Sequence, residues 1–378
     1  MKVVDGDSHL IEPLDLFPRY IEPAYRERAM CIVNDPTTGK QQMLVDGKPM
    51  RLGSDTEEML SIIVGHGQKE EGNALNEFDR SLIASADWQD MGKRVQFLDA
   101  EGIDYQILFP TLGLLWEGEI RDPALAAAHC RAYNTWAFEI CAGQLDRLFP
   151  AAHISLRDPA LAVQEMQRVA KLGGHSVMVG SAPVHGKSFG HSDYDAIWTT
   201  AQDLNLAVTI HPAGNKDYLG SAWFRDRNPG FMFISMNVIQ DPRMSLSTMV
   251  YDGVFERFPA LRVATVESMG SWVGEWIERF EYRYQYMRHT SQMKRPIREY
   301  FARNIWVNAD PSEKLLPLIV QFVGDEKFFV GSDYPHAEGF AHPVEAMRNV
   351  LESLPTTSIE RILGTNACTF YGLSACQP

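Results

Sequence analysis

Several features that would assign the 378-residue chain to common protein classes are missing from its sequence. Its longest apolar run, residues 315–323, is far shorter than the roughly 20 residues that a membrane span needs. The N-terminal segment MKVVDGDSHL also lacks the apolar centre of a signal peptide. We therefore expect a cytoplasmic protein that does not bind membranes.

Basic side chains are too few for a nucleic-acid-binding protein. The chain has 35 Lys and Arg against 49 Asp and Glu, a formal net charge of −14. Because nucleic acids and anionic membranes are bound by clustered Lys and Arg, we expect neither as a partner. The hydrophobic fraction of 45% and charged fraction of 22% are typical of globular proteins.

Cysteine motifs and cofactor motifs are absent as well. The five cysteines are scattered and form no CxxC pair, which favours reduced thiols over a disulfide framework. The chain has no GxGxxG after its first predicted strand, no P-loop and no GxSxG. These absences exclude the usual dinucleotide-binding and serine-hydrolase patterns, and we expect no organic cofactor.

Short β-rich apolar segments alternate with helical patterns along most of the chain. This alternation predicts a (β/α)8 barrel, with an open doubly wound sheet as the alternative. Among the helices, one is predicted to start after Asp158 and another after Asp193, because aspartate caps helix N-termini. The eight predicted strands are residues 3–9, 105–110, 151–155, 176–180, 207–211, 262–267, 305–308 and 328–333.

Two long segments interrupt the alternation, and both follow strands. We expect one domain, residues 1–378, with an insertion at 11–87 that contains a hairpin, 41–45 and 48–52, around Asp46-Gly47. The second segment follows strand five and is rich in aromatic residues and Met; Trp223 and Phe224 are candidate substrate contacts. Segments after barrel strands lie at the active-site face, so they are expected to form a lid or pocket wall. The alternative is an oligomer interface or a cap without a chemical role.

Polar residues stand where the predicted strands end. Alternation places three of them, Asp5, Asp7 and His9, on the inner face of strand one. Two imidazoles and several carboxylates meeting at one barrel mouth would suit a divalent metal, Zn²⁺ or Mn²⁺. The polar residues at the ends of strands five, six and eight are His211, Glu267, Asp333 and, three positions further on, His336.

Motifs along nearly the whole chain resemble those of the amidohydrolase-2 branch of the metal-dependent hydrolases. That branch includes aminocarboxymuconate semialdehyde decarboxylase, resorcylate decarboxylase and related hydratases and lactonases. The motifs are VVDGDSHLIEP, LFPT, TIHPAG, VESMGSWVGEWIERFE, NIWVNADPSE, FVGSDYPHAEG and ILGTNACTFYGL.

The resemblance implies one metal ion bound by Asp7, His9, His211 and Asp333. Many members of the branch carry His or Glu where this chain has Asp7. The larger departure is Glu267, which stands where well-studied decarboxylases of the branch carry His. Glutamate can act as an acid or base when burial raises its pKa. Alternatively, Glu267 bonds to the 268–270 segment or to Arg279.

The function implied is non-oxidative decarboxylation of a small aromatic or enol-type carboxylic acid. Glu267 or His336 would then protonate the carbon that loses CO₂. The first alternative is metal-assisted hydrolysis of a lactone, ester or amide, with Glu267 or Asp333 accepting the proton from water. The second is a barrel that binds a ligand without catalysis.

Three residues after strand four are candidates for binding a substrate anion. They are His185, Lys187 and His191; alternatively, these residues belong to a solvated loop without a binding role.

We also expect a homodimer or a higher homo-oligomer.

Overall fold

A computed structural model describes residues 1–50, 86–214, 235–236, 238–337 and 339–373. Eight strands within these ranges form one parallel sheet, in which each strand pairs with the next along the chain. Three further strands form a separate small sheet. The strands are β1 (Val4–His9), β2 (Cys31–Asn34), β3 (Gln41–Val45), β4 (Lys48–Pro49), β5 (Tyr105–Phe109), β6 (Leu148–His153), β7 (Ser176–Gly180), β8 (Ala207–His211), β9 (Val263–Thr265), β10 (Ile305–Ala309) and β11 (Phe328–Val330).

The large sheet closes where its last strand returns to its first. The amide of Ser332, just after β11, donates to the Asp7 carbonyl at 3.0 Å. The amide of His9 donates to the Tyr334 carbonyl at 2.7 Å. An open sheet would leave both edges unpaired, so these bonds confirm the predicted (β/α)8 barrel.

Helices alternate with the barrel strands and cover them. Apolar side chains such as Ile107, Met178 and Phe329 fill the barrel interior, and larger apolar clusters lie between strands and helices. The helices are α1 (Leu16–Tyr20), α2 (Met91–Glu101), α3 (Pro123–Cys141), α4 (Pro159–Lys171), α5 (Asp195–Asp203), α6 (Val238–Tyr251), α7 (Val254–Arg257), α8 (Val273–Met287), α9 (Ile297–Asn304), α10 (Leu316–Val323), α11 (Pro343–Val350), α12 (Thr356–Glu360) and α13 (Asn366–Tyr371).

One of the two predicted helix caps is confirmed. The Asp158 carboxylate accepts hydrogen bonds from the first free amides of α4. The prediction for Asp193 is wrong, because α5 begins at Asp195 and the Asp193 carboxylate instead pairs with the Lys187 ammonium. Within the described ranges, every helix is too short or too polar to cross a membrane.

The predicted hairpin forms part of the small sheet. Asp46 and Gly47 both have left-handed backbone conformations, with φ of 53° and 68°, and connect the antiparallel strands β3 and β4. Strand β2 adds a third strand that the sequence pattern did not indicate. Residues 51–85 of the expected insertion lie outside the described ranges, so its role as a cap, and the single-domain assignment, stay predictions.

The cysteines only partly follow the expectation of reduced thiols. Cys31, Cys130 and Cys141 are free, and the last two are buried. Cys368, in α13, is disulfide-bonded. Scattered spacing therefore failed to predict the state of this cysteine.

A bulge in β1 changes which of its side chains face the barrel axis. Asp5 pairs with Gln106, but the next paired residue is Ser8, which faces Leu108, so β1 contains an extra residue. Asp5 lies outside the barrel wall, where its carboxylate accepts hydrogen bonds from Gln106 at 2.8 Å and from the Ser332 hydroxyl at 2.6 Å. The alternation predicted for Asp5 is therefore wrong.

Arg94 of α2 fixes this bulge from outside the barrel. Its guanidinium donates to the Ser8 hydroxyl at 3.1 Å, to the Gln106 side-chain oxygen at 3.2 Å and to the His9 carbonyl at 2.7 Å. The side chain is buried and lies over the Tyr334 ring. Buried acceptors left without a donor are costly, so these bonds hold β1 in one register.

Replacing this guanidinium should destabilise the fold. We expect Arg94→Met to lower the free energy of unfolding by about 2–4 kcal/mol, because it leaves several buried acceptors unsatisfied. Urea denaturation followed by circular dichroism would measure the loss. Arg348→Met, on the exposed face of α11, is the matched control and should change stability by less than about 0.5 kcal/mol. Equal stability of the two variants would contradict the role given to Arg94.

Candidate metal centre

Five side chains with metal-binding atoms meet at the carboxyl end of the barrel. They come from four strands that are not all neighbours, so only closure of the barrel brings them together. The imidazoles are completely buried, and at least one oxygen of each carboxylate is buried as well. These five residues are Asp7 and His9 of β1, His211 of β8, Glu267 after β9 and Asp333 after β11, and a nitrogen of a sixth residue, His336, lies within 4.8 Å of donor atoms of His9, Glu267 and Asp333.

The spacing of these atoms matches that of ligands around one ion. The His9 Nε2 atom lies 3.4 Å from Asp333 Oδ1, 3.5 Å from Glu267 Oε2 and 3.8 Å from Asp7 Oδ1. The His211 Nε2 atom lies 3.2 Å from Glu267 Oε2 and 3.9 Å from Asp7 Oδ1. Ligands bound at about 2.0–2.2 Å from a metal are roughly 3–3.5 Å apart, so small adjustments would complete the site.

Backbone carbonyls orient both histidines for metal binding. The Nδ1 atom of His9 lies 2.8 Å from the Pro110 carbonyl, and that of His211 lies 2.7 Å from the Pro212 carbonyl. Because a carbonyl can only accept, each Nδ1 carries the proton. In the neutral ring Nε2 then has a free lone pair for a metal ion, an arrangement common for metal-binding histidines.

The buried donor atoms fit a divalent cation. Asp7 Oδ1, His9 Nε2, His211 Nε2 and Glu267 Oε2 are buried and make no hydrogen bond. Burying such atoms without a partner is costly, and a shared cation would remove that cost. Imidazole nitrogens with carboxylate oxygens suit Zn²⁺ and Mn²⁺.

The charge states of the cluster follow from burial and proximity. Burial lowers the pKa of His9 to about 3, so its imidazole is in the neutral form that binds metals. Burial acts in the same direction on His211, but the charges of Glu267 and Asp7 outweigh it and raise the pKa of His211. Burial acts to raise the pKa of Glu267, yet His211 and His9 together hold that pKa below its ordinary value.

Unusual backbone conformations aim two of the carboxylates. Glu267 and Asp333 have φ values of 48° and 55°, which cost an L-residue roughly 1–2 kcal/mol. The Asn308 side chain supports the backbone conformation of Glu267, because its oxygen accepts a hydrogen bond from the Glu267 amide at 3.2 Å. Gly331 has to be glycine, because a Cβ there would lie 2.4 Å from the Asp7 Cβ. Such strain persists where surrounding structure enforces it, and it is common at functional sites.

His336 lies beside the donor cluster, as its position three residues after Asp333 suggested. Its ring stacks on that of His9 with centroids 3.9 Å apart. Its Nδ1 atom is 2.8 Å from Asp333 Oδ1, and its Nε2 atom is 3.0 Å from the Thr111 hydroxyl. The imidazole is therefore held at the edge of the metal centre by contacts on both nitrogens.

Glu267 does not make the structural contact considered as its alternative role. The bonds to the 268–270 segment come instead from Glu313, whose carboxylate accepts from the amides of Gly270 and Ser271. The Glu267 carboxylate lies between the imidazoles of His9 and His211.

The residues proposed from the loop after strand four lie apart from these donors. Lys187 forms an ion pair with Asp193, and His191 accepts a hydrogen bond from the Asp193 amide at 3.2 Å. His185 lines a cavity of about 360 Å³, together with Arg121 and Arg157. Trp223 and Phe224 fall outside the described residues. A role in substrate binding stays a prediction for all five candidates, which are His185, Lys187, His191, Trp223 and Phe224.

Two buried glutamates at the mouth were not identified from sequence. Glu12 accepts hydrogen bonds from the amides of Thr111, Leu112 and Gly113, and so holds the loop that contacts His336. Glu117 lies 3.2 Å from His153 Nε2 at the end of β6. Glu12 lies in the first motif, but its partners are about a hundred residues away along the chain, so the sequence carried no signal for the contact.

Known proteins similar to this chain include decarboxylases. One is 2-amino-3-carboxymuconate-6-semialdehyde decarboxylase of Dictyostelium discoideum, 26% identical over 285 residues, which are 74% of this chain and 76% of that protein. The solved structure of an amidohydrolase from Mycobacterium avium subsp. paratuberculosis covers 98% of this chain and 99% of its own, with TM-score 0.82 and 24% identity.

A second solved structure is a dihydroxybenzoic acid decarboxylase from Polaromonas sp. JS666 with bound manganese and the inhibitor 2-nitroresorcinol. It covers 81% of this chain and 92% of its own, with TM-score 0.64 and 20% identity. At these identities the structures establish the shared fold.

The sequence profile of the amidohydrolase family matches residues 55–373. The matched segment contains His211, Glu267 and Asp333 and begins after Asp7 and His9. The family resemblance inferred from motifs is therefore confirmed, and the chain belongs to the amidohydrolase family.

Proposed function

We propose that this protein is a metal-dependent, non-oxidative decarboxylase of a small aromatic or enol-type carboxylic acid. The observation that carries the proposal is the meeting of two imidazole Nε2 atoms with carboxylate oxygens at the barrel mouth. The family supports it, because relatives of this chain decarboxylate a carboxymuconate semialdehyde and a dihydroxybenzoic acid.

One divalent ion, Zn²⁺ or Mn²⁺, would be held by Asp7, His9, His211 and Asp333. When bound, it supplies a Lewis acid for the oxygens of the substrate. The manganese bound in the Polaromonas decarboxylase supports Mn²⁺ as the ion.

The chain itself has to manage one proton. When the bond between the carbon skeleton and the carboxylate breaks, its electron pair stays on carbon, which then takes up a proton as CO₂ leaves. His336 and Glu267 are the side chains proposed to deliver that proton, and Glu267 would first have to take one up, because the neighbouring imidazoles hold its pKa below the ordinary value. Asp333 and Thr111 fix the orientation of the His336 ring.

Glu267 also favours a second candidate function. A carboxylate 3.2 Å from a metal-binding imidazole is placed to accept a proton from water. Asp333 is the other carboxylate that could do so. Metal-assisted hydrolysis of a lactone, ester or amide is therefore the alternative reaction.

We further propose a cytoplasmic homo-oligomer. The free thiols of Cys31, Cys130 and Cys141 suit a reducing compartment, although the Cys368 disulfide argues against one. Exposed apolar side chains on α8 and α10, among them Tyr282 and Phe322, suit burial against another subunit.

Removing one imidazole should remove the metal. We expect wild-type protein to contain about one Zn or Mn per chain and His211→Ala to contain almost none, because the variant loses a buried nitrogen donor. Inductively coupled plasma mass spectrometry would measure both metals. His289→Ala, an exposed histidine, is the control and should keep wild-type metal content. Full metal content in His211→Ala would contradict the proposed site.

A substrate panel should separate the two reactions. We expect CO₂ release from at least one hydroxybenzoate or enol-type acid, and no acid release from a panel of lactones. His211→Ala should lower kcat/KM for the reactive acid by at least about 100-fold, because metal ligands matter more than the groups that orient them. Lactone hydrolysis without CO₂ release would replace the proposed function by the alternative.

A further inference from the structure

We propose that Glu267 binds the metal directly, as a fifth protein ligand, and that this ligand raises the affinity of the site for Mn²⁺ relative to its affinity for Zn²⁺. The inference rests on the proposed metal centre. It assigns Glu267 a role other than the acid–base role suggested by its position in the chain.

Distances place Glu267 inside the ligand set. Its Oε2 atom lies 3.2 Å from His211 Nε2 and 3.5 Å from His9 Nε2. Asp7 Oδ1 lies farther from the same two atoms, at 3.9 Å and 3.8 Å. Glu267 Oε2 is therefore closer than Asp7 Oδ1 to both imidazole nitrogens that would bind the ion.

Burial gives the two oxygens of Glu267 different surroundings. The side chain as a whole is 21% exposed, but Oε2 is buried and makes no hydrogen bond. An acid–base group would be expected to face the space that the substrate occupies. The buried oxygen faces the Nε2 atoms of His9 and His211 instead, where a metal ion would be its partner.

The backbone around Glu267 is held from two sides. Its amide donates to Asn308 Oδ1, and the loop that follows is anchored by the Glu313 carboxylate, which accepts from the amides of Gly270, Ser271 and Asp310. These bonds enforce the left-handed conformation of Glu267. A strained position that is held this firmly suits a ligand of fixed direction better than a mobile proton carrier.

The donor set predicts the metal preference. With Glu267, the site offers three carboxylates and two imidazoles. Zinc sites usually take four ligands in total, whereas carboxylate-rich sites suit Mn²⁺, which accepts more ligands. Coordination through Oε2 would make the carboxylate of Glu267 a weaker base, which leaves the proton to His336.

The test compares metal affinity, measured without substrate. Full-length protein is freed of metal with a chelator and titrated with MnCl₂, and free Mn²⁺ is followed by electron paramagnetic resonance. We expect Glu267→Gln, which keeps the shape and removes the charge, to weaken Mn²⁺ binding at least tenfold. Zn²⁺ binding, measured by competition with a chromophoric chelator, should weaken less. The ratio of the Mn²⁺ affinity to the Zn²⁺ affinity should therefore be lower in Glu267→Gln than in the wild type.

Glu117→Gln is the matched control, because Glu117 is also a buried glutamate at the barrel mouth but pairs with His153. It should bind Mn²⁺ as the wild type does. Circular dichroism and urea midpoints would show that both variants fold. Mn²⁺ affinity of Glu267→Gln within threefold of wild type would overturn the inference. CO₂ release by the wild type would still support the proposed function, so the two can fail separately.

A crystal structure of the Mn²⁺-loaded wild type gives a second test that needs no variant. Anomalous scattering at the manganese edge would locate the ion. We expect Glu267 Oε2 at about 2.2 Å from it, the usual length of a metal–carboxylate bond. A separation beyond about 3 Å would also overturn the inference.

Discussion

The barrel mouth is organised by the burial of three carboxylates around one imidazole. Oxygens of Asp7, Glu267 and Asp333 all lie within 3.8 Å of His9 Nε2. Like charges this close, removed from water, repel each other and lose hydration, and burial together with the neighbouring carboxylates raises the pKa of Asp7 well above its ordinary value. The neutral His9 ring offers them no full positive charge, since burial lowers its pKa to about 3. A divalent cation resolves the conflict, and the surrounding structure makes sense as the means of holding the carboxylates ready for it.

The backbone departs from regular strand geometry at or beside each of these three carboxylates. In β1 the bulge turns Asp5 outward while Asp7 remains in the donor cluster. Beyond β9 and β11, left-handed residues turn the chain sharply and direct Glu267 and Asp333 inward. Contacts outside the site hold these segments in place. Arg94 holds the bulged strand β1, and the Glu313 carboxylate holds the loop after β9. The stability of the outer layer therefore underlies the geometry of the centre.

Sequence patterns predicted the barrel, and the meeting of polar residues at its mouth, for a physical reason. Parallel strands end at a common rim, so polar residues ending separate strands, such as His211 and Asp333, can be expected to meet. Contacts that depend on register or on distant loops could not be predicted in this way. The bulge at β1, the role of Glu12 in a loop a hundred residues away and the pairing of Asp193 with Lys187 are all set by tertiary packing. The same holds for Glu267, because the sequence shows a glutamate at this position but not where its carboxylate points.

Asp333 connects the metal centre to the proposed proton donor. One of its oxygens lies 3.4 Å from His9 Nε2 and 2.8 Å from His336 Nδ1. A change at Asp333 would therefore alter metal binding and the orientation of His336 together, and its kinetic effect could not be divided between them. Glu267 contacts the imidazoles of His9 and His211, and its carboxylate also lies within 4.8 Å of a nitrogen of His336. A kinetic effect of a change at Glu267 would mix metal binding with proton transfer in the same way, so metal affinity, which involves no proton transfer, is the quantity that isolates its role as a ligand.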